Sequence, residues 1–220
     1  MDFFESLKEN CAEQWHAYTR HEFVQQLGAA TLPRAAFQTY LVQDYLFLIQ
    51  FARAHALAVY KSTNLQDMRD AAAGVTAILD VEMDLHVRLC VDWGLTAVDL
   101  EHSREAPQTI AYTRFVLEAG HAGDILDLMV ALAPCMLGYA EIGRRLVADF
   151  GTPDANHPYQ AWINEYAGQA YQDLARATRL TLEKHASELL TQGRRKRLDH
   201  LFCQATRLEA EFWQMGLTSV

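Results

Sequence analysis

Apolar residues recur every three to four positions along nearly the whole chain, and no stretch alternates Val, Ile and Thr with polar residues. That period belongs to helices with one buried face. It predicts helices over 3–27, 34–62, 66–93, 108–120, 123–150, 156–191 and 194–216. Breaking residues support these limits. Pro33 and Pro107 stand where a first helical turn accepts a residue without an N–H. Gly94 follows Trp93 as a C-terminal cap, and the run Gly151-Thr-Pro-Asp-Ala-Asn-His-Pro158 reads as a loop. No polar linker and no internal repeat divides the chain. The expected architecture is all-α, a single helical-bundle domain spanning 1–220.

Composition narrows the class. The 220 residues are 50% hydrophobic and 21% charged. A chain of this size buries roughly 70–75% of its unfolded surface, so it needs no disulfide or structural metal to fold. The net charge of −9 argues against a general affinity for nucleic acid or anionic membranes. Cys11, Cys90, Cys135 and Cys203 are widely spaced, without a C-x-x-C pair, which points to the reducing cytosol. Glu5, Lys8, Glu9 and Glu13 interrupt any signal-peptide core. The longest uncharged run, Leu128 to Ala140, falls short of the ~20 residues of a membrane span. A cytoplasmic protein is expected.

Polar residues that fall on apolar helix faces carry the candidate chemistry, because a buried charge is costly unless paired or used. Asp44 interrupts the stripe Phe37, Tyr40, Leu41, Leu48, Phe51 and His55. On this helix alone it reads first as a carboxylate bonded to a neighbouring tyrosine or arginine for structure. Glu82 and His86, four apart on another apolar face, suggest a local hydrogen bond before a metal site, which needs further ligands. Cys135 and Tyr139 stack one turn apart, and Pro134 removes a donor and should bend the helix there. Cys135 is either an inert core thiol or a nucleophile, and a nucleophile needs a lowered pKa or a nearby base. Glu209 lies inward with Ala205, Phe212 and Trp213, where burial would raise its pKa toward acid–base work. The run Arg194-Arg-Lys-Arg197 reads as a solvated face or a subunit contact, and Cys11, Cys90 and Cys203 as packing residues.

Over nearly its whole length the chain resembles the TenA/thiaminase II family, in its cysteine-bearing branch. The segments that carry the likeness are Gln43-Asp44-Tyr45, Glu82-Met-Asp-Leu-His86, Ala111-Tyr112-Thr113, Pro134-Cys135 with Tyr139, Tyr159-Gln-Ala-Trp162-Ile163 with Tyr166, and Leu208-Glu209-Ala-Glu-Phe212-Trp213. The resemblance implies a haem-oxygenase-like bundle with a central pocket, assembled as a homotetramer and working without a cofactor. It implies hydrolysis of 4-amino-5-aminomethyl-2-methylpyrimidine to the hydroxymethylpyrimidine and ammonia, and cleavage of thiamin. Glu209 would protonate the ring nitrogen and Cys135 would add to the ring. Asp44 would hold the exocyclic amine, and Tyr166 would bond to Glu209. Tyr112 and Tyr139 would position the reacting groups, and Phe47 would stack on the ring. Relatives can carry Tyr where this chain has Phe47, so a hydroxyl contact is lost there. Glu82 and His86 would have only supporting roles.

Two other readings compete. The same architecture can hold paired iron ions, for which Asp44, Glu82, His86 and Glu209 are partial donors and His55 a poor extra. A non-catalytic pyrimidine binder or regulator is the other, although nothing reads as a helix-turn-helix. No phosphate-binding glycine loop is present.

Overall fold

The computed structural model describes residues 2–218, less the side chains of residues 81, 85 and 97. Its helices, in order, are α1 (Phe3–Asn10), α2 (Ala12–Thr19), α3 (Glu22–Gly28), α4 (Arg34–Lys61) and α5 (Leu65–Thr76). A π-helical turn (Ala77–Glu82) leads into α6 (Met83–Asp92). The chain continues through α7 (Ala97–His102), α8 (Pro107–Ala122), α9 (Ile125–Phe150), α10 (Gln160–Ala167), α11 (Gln169–Leu189) and α12 (Gln192–Thr218). No strand occurs among the described residues.

The long predicted helices survive, and the differences have local causes. The span 3–27 divides into α1, α2 and α3. The chain leaves helical geometry at Cys11 (φ −125°, ψ 25°), and the His21 ring accepts from Phe23 N to start α3. Neither break carries Gly or Pro, so periodicity alone reads through them. The span 156–191 begins later and divides at the extended Gly168 between α10 and α11. The short helix α7 was missed; Thr96 and Asp99 form its capping box. Gly94 (φ 83°) does close α6, and Pro107 does open α8.

The core is built on α9, which packs against α8, α10, α11 and α12, while α4 packs against α5, α6, α8 and α12. By length and mean hydropathy (1.7) α9 is apolar enough to cross a membrane, yet its apolar stretch is 83% buried inside the bundle, as the core helix. The helix runs unbroken through Pro134, whose carbonyl accepts from the Tyr18 hydroxyl at 3.2 Å. Around it lies an aromatic layer. Trp213, fully buried, stacks on Phe23 (5.1 Å) and Tyr18 (6.4 Å), and Trp15 stacks on Phe202 (5.6 Å). Each such pair adds about 0.5–1.5 kcal/mol beyond its buried area.

The basic run lies at the surface, with Lys196 and Arg197 exposed as a solvated face requires, and Arg194 and Arg197 also pair within the chain. Arg194 bridges Asp124 (2.7 Å) and Asp127 (3.0 Å), and Arg197 reaches Asp127 (2.6 Å). Those acids are the capping box of α9, so the pairs fasten the start of α12 to the start of the core helix.

Candidate active site

Five elements converge on one pocket. From α4 come Asp44, Phe47, Leu48 and Phe51, and the π-helical turn ends on Glu82. From α9 come Cys135, Met136 and Tyr139, one helical turn apart as the sequence spacing requires. Tyr166 of α10 and Tyr171 of α11 complete the wall.

Asp44 is buried and accepts from the Tyr40 hydroxyl at 3.2 Å, the tyrosine pairing expected from its stripe. Tyr40 in turn accepts from Trp162 Nε1 at 3.1 Å. On the other side His86 Nδ1 stands 3.4 Å from Asp44 Oδ2. His86 Nε2 lies 2.7 Å from the Leu41 carbonyl, which can only accept, so this nitrogen carries the hydrogen. Burial lowers the His86 pKa to about 4 and raises that of Asp44 to about 7. In this pair the carboxyl, not the imidazole, holds the proton at mildly acidic pH. The expected bond between Glu82 and His86 is absent, because His86 turns back to α4 while Glu82 faces the pocket.

Glu209 lies behind the wall, 1% exposed, and accepts from the Tyr112 hydroxyl at 2.7 Å. The expected partner was Tyr166. That ring instead packs among Tyr139 (4.8 Å), Trp162 (4.5 Å) and Tyr171 (4.8 Å), while α8 lies directly against α12 and brings Tyr112 to the carboxyl. Burial raises Glu209 to about 8, against the opposing effect of the Tyr112 bond. Phe47 stacks on Tyr112 (5.2 Å, 29°) and so joins the pocket wall to this pair.

No lysine, arginine or histidine lines the pocket. Burial first, then the charges of Glu209, Glu82 and Asp44, push the Cys135 thiol well above its ordinary pKa. The resting group is therefore held as the thiol, and a nucleophilic role calls for a carboxylate to take the proton. Sequence reasoning missed Tyr171 and gave Glu82 only a supporting part. Tyr171 does lie on the same apolar stripe of α11 as Ala175 and Leu182, a signal that was available. Among the described residues no three His, Cys, Asp or Glu side chains are arranged to hold a metal ion. The donor set of the di-iron reading is not assembled there.

Residues 8–219 match the sequence model of the TENA/THI-4/PQQC family. The chain belongs to this family. A relative from Halalkalibacterium halodurans named aminopyrimidine aminohydrolase is 38% identical over 217 residues, covering 98% of this chain and 96% of its own. A crystal structure from Silicibacter, titled a TenA family transcription regulator, is 45% identical with a TM-score of 0.93 and covers 98% of this chain and 96% of that one. A domain from Shewanella denitrificans described as having a heme oxygenase-like fold is only 11% identical. It covers 100% of this chain and 93% of its own with a TM-score of 0.74, which bears on the fold alone. The bundle is thus the haem-oxygenase-like one expected from the TenA/thiaminase II resemblance.

Proposed function

We propose that this chain is an aminopyrimidine aminohydrolase, a hydrolase acting on C–N bonds in thiamin salvage. It converts 4-amino-5-aminomethyl-2-methylpyrimidine to the hydroxymethyl compound and ammonia, with thiamin as a second substrate. The observation that carries the reading is the convergence of Asp44, Phe47, Cys135 and Tyr139 on one pocket, with the Glu209–Tyr112 pair joined to it through Phe47. The name of the Halalkalibacterium halodurans relative agrees with it.

The chemistry follows from the protonation states. An aminopyrimidine presents a ring-nitrogen acceptor beside an exocyclic amine donor, and Asp44 is placed to pair with such an edge. Glu209, whose pKa is about 8, is a neutral acid at pH 7 and gives its proton to the ring nitrogen. The emptied carboxylate takes the Cys135 proton as the C–S bond to the ring forms. The thiol's proton thus reaches the ring by way of Glu209. Electrons flowing back from the adduct break the exocyclic C–N bond, and the pair leaves on nitrogen. Water adds at the methylene, the ring regains aromaticity, and sulfur departs and recovers its proton. Tyr112 orients Glu209, Tyr139 and Tyr166 position the reacting groups, and Phe47 stacks on the ring. No cofactor takes part.

The proposal includes a cytoplasmic homotetramer without nucleic-acid or membrane partners. A copy of the chain would cover the exposed apolar side chains Tyr60 (80%), Leu65 (61%), Met68, Leu79 and Val91 near α5 and α6.

Ammonia release by metal-free wild type beside Cys135→Ala and Glu209→Gln tests the reading. Wild-type turnover with both variants near silence supports it. Silence from all three refutes it, and pyrimidine binding without turnover by wild type would favour the non-catalytic binder.

A further inference from the structure

Three carboxyls surround the reacting thiol, and they differ in one respect. Asp44 is held by Tyr40 and faces His86, and Glu209 is held by Tyr112. Glu82 lines the pocket, yet among the described residues its side chain has no hydrogen bond and no ion pair. Burial and the charges of Asp44 and Glu165 all oppose its ionised form. A half-buried carboxylate without a protein partner is costly to ionise, and the missing partner can come with a ligand.

The groups beside Glu82 specify that partner. Tyr166, Tyr171 and Cys135 line the same pocket as Glu82. Tyr139, Tyr166 and Tyr171 meet edge-on in sequence, with centroids 4.8 Å apart at each contact, and all three line the pocket. A carboxylate against a set of tyrosine rings, with no lysine or arginine in the wall, is a cation site.

We propose that Glu82, with this tyrosine group, receives the positively charged leaving nitrogen of the substrate, giving up its proton as the cation binds. The assignment rests on the aminopyrimidine reading and deepens it. At neutral pH the aminomethyl group is an ammonium, and the thiazolium nitrogen of thiamin is permanently cationic. Both substrates therefore place a positive charge on the nitrogen bonded to the methylene. The hydroxymethyl product is neutral at that position. Glu82 thus separates substrate from product: it favours entry of the cation and loses its partner when the amine has left. Asp44 and Glu209 read the ring, which substrate and product share.

Binding without turnover tests this. In a Cys135→Ala background, calorimetry compares the aminomethyl and hydroxymethyl pyrimidines with Glu82 and with Glu82→Gln, which keeps shape and removes charge. Affinity for the aminomethyl compound should fall about tenfold or more, while affinity for the hydroxymethyl compound changes less than twofold. Equal losses for both ligands, or none, overturn the proposal. Benzylammonium and benzyl alcohol form a second pair that does not depend on pyrimidine recognition. If neither pyrimidine binds but Glu82→Gln still abolishes a preference for benzylammonium, the aminopyrimidine reading fails and the cation site stands. No Glu82-dependent preference for either cation over its alcohol overturns the cation site itself.

Discussion

Tyr112 donates a 2.7 Å hydrogen bond to Glu209 Oε1 across 97 residues of sequence, and each residue is 1% exposed. It is the contact that favours the ionised form of a carboxyl otherwise driven toward neutrality. Tyr112→Phe should therefore raise the Glu209 pKa further. In the proposed mechanism the protonated form of Glu209 is the active one, so the alkaline limb of the rate profile should move to higher pH in the variant. The optimum rate should fall about tenfold or more as the acid loses its orienting partner. Leaving the buried carboxyl unsatisfied should also cost about 1–3 kcal/mol of stability. An unchanged alkaline limb would separate Glu209 from the acid step.

Stability should depend on pH in a characteristic way. Asp44 holds its proton to about pH 7, and Glu82 and Glu209 hold theirs to about 8. Each binds more protons folded than unfolded between its ordinary pKa and its raised one. Their contribution is complete below about pH 4 and is lost as pH rises through 7–8. His55 and His86, both lowered to about 4, and His21, also lowered, act oppositely up to about 6.5. Between pH 6.5 and 8 the carboxyls act unopposed, and stability should fall by up to about 1.4 kcal/mol per pH unit for each group. Urea titrations across that window should show the decline, with a shallower slope in Glu209→Gln. A flat or rising profile would contradict the burial of these acids.

The residues legible in the sequence share one property: each interrupts an apolar stripe on a long helix. Asp44 on α4, Cys135 and Tyr139 on α9, and Glu209 on α12 are legible because a polar group facing a core is anomalous. What periodicity hides is register and pairing between elements. The π-helical turn ends at Glu82, and four residues later His86 points to a different target, so their spacing suggested a bond that the fold does not make. Tyr171 follows the break at Gly168, which a continuous helix over 156–191 conceals. Glu209 was identifiable as buried, but the choice of Tyr112 over Tyr166 depends on α8 lying against α12.

Gly143 controls the approach of α10 to α9. A methyl group there would stand 2.4 Å from the carbonyl carbon of Tyr166 and 2.6 Å from Ala167 N. These are backbone atoms, so no side-chain rotation relieves the clash. Gly143→Ala should displace Tyr166 from the pocket wall and destabilise the protein by about 1–3 kcal/mol. Thermal melts and substrate KM measured together check this. A stable variant with unchanged KM would mean that the α9–α10 contact does not position Tyr166.

Cys135 should be a slow thiol in the free protein despite its proposed role as nucleophile. Its pKa is raised by burial and by Glu209, Glu82 and Asp44, and no cation lines the pocket to offset them. The thiolate fraction falls tenfold for each unit of upward shift. Iodoacetamide at pH 8 should therefore modify Cys135 at least about tenfold more slowly than free cysteine, as followed by peptide mass spectrometry. Peptide resolution is needed because Cys11, Cys90 and Cys203 are shifted upward as well. The electrostatic share of the shift can be isolated with Glu209→Gln. At pH 9, where wild-type Glu209 is largely ionised, removing its charge should accelerate modification of Cys135. At pH 6, where Glu209 already carries a proton, the same substitution should change the rate little. An acceleration of equal size at both pH values would point to altered access and not to charge. A fast Cys135 in the wild type would mean that the thiol ionises without the carboxylate, which would remove Glu209 from the nucleophile's activation.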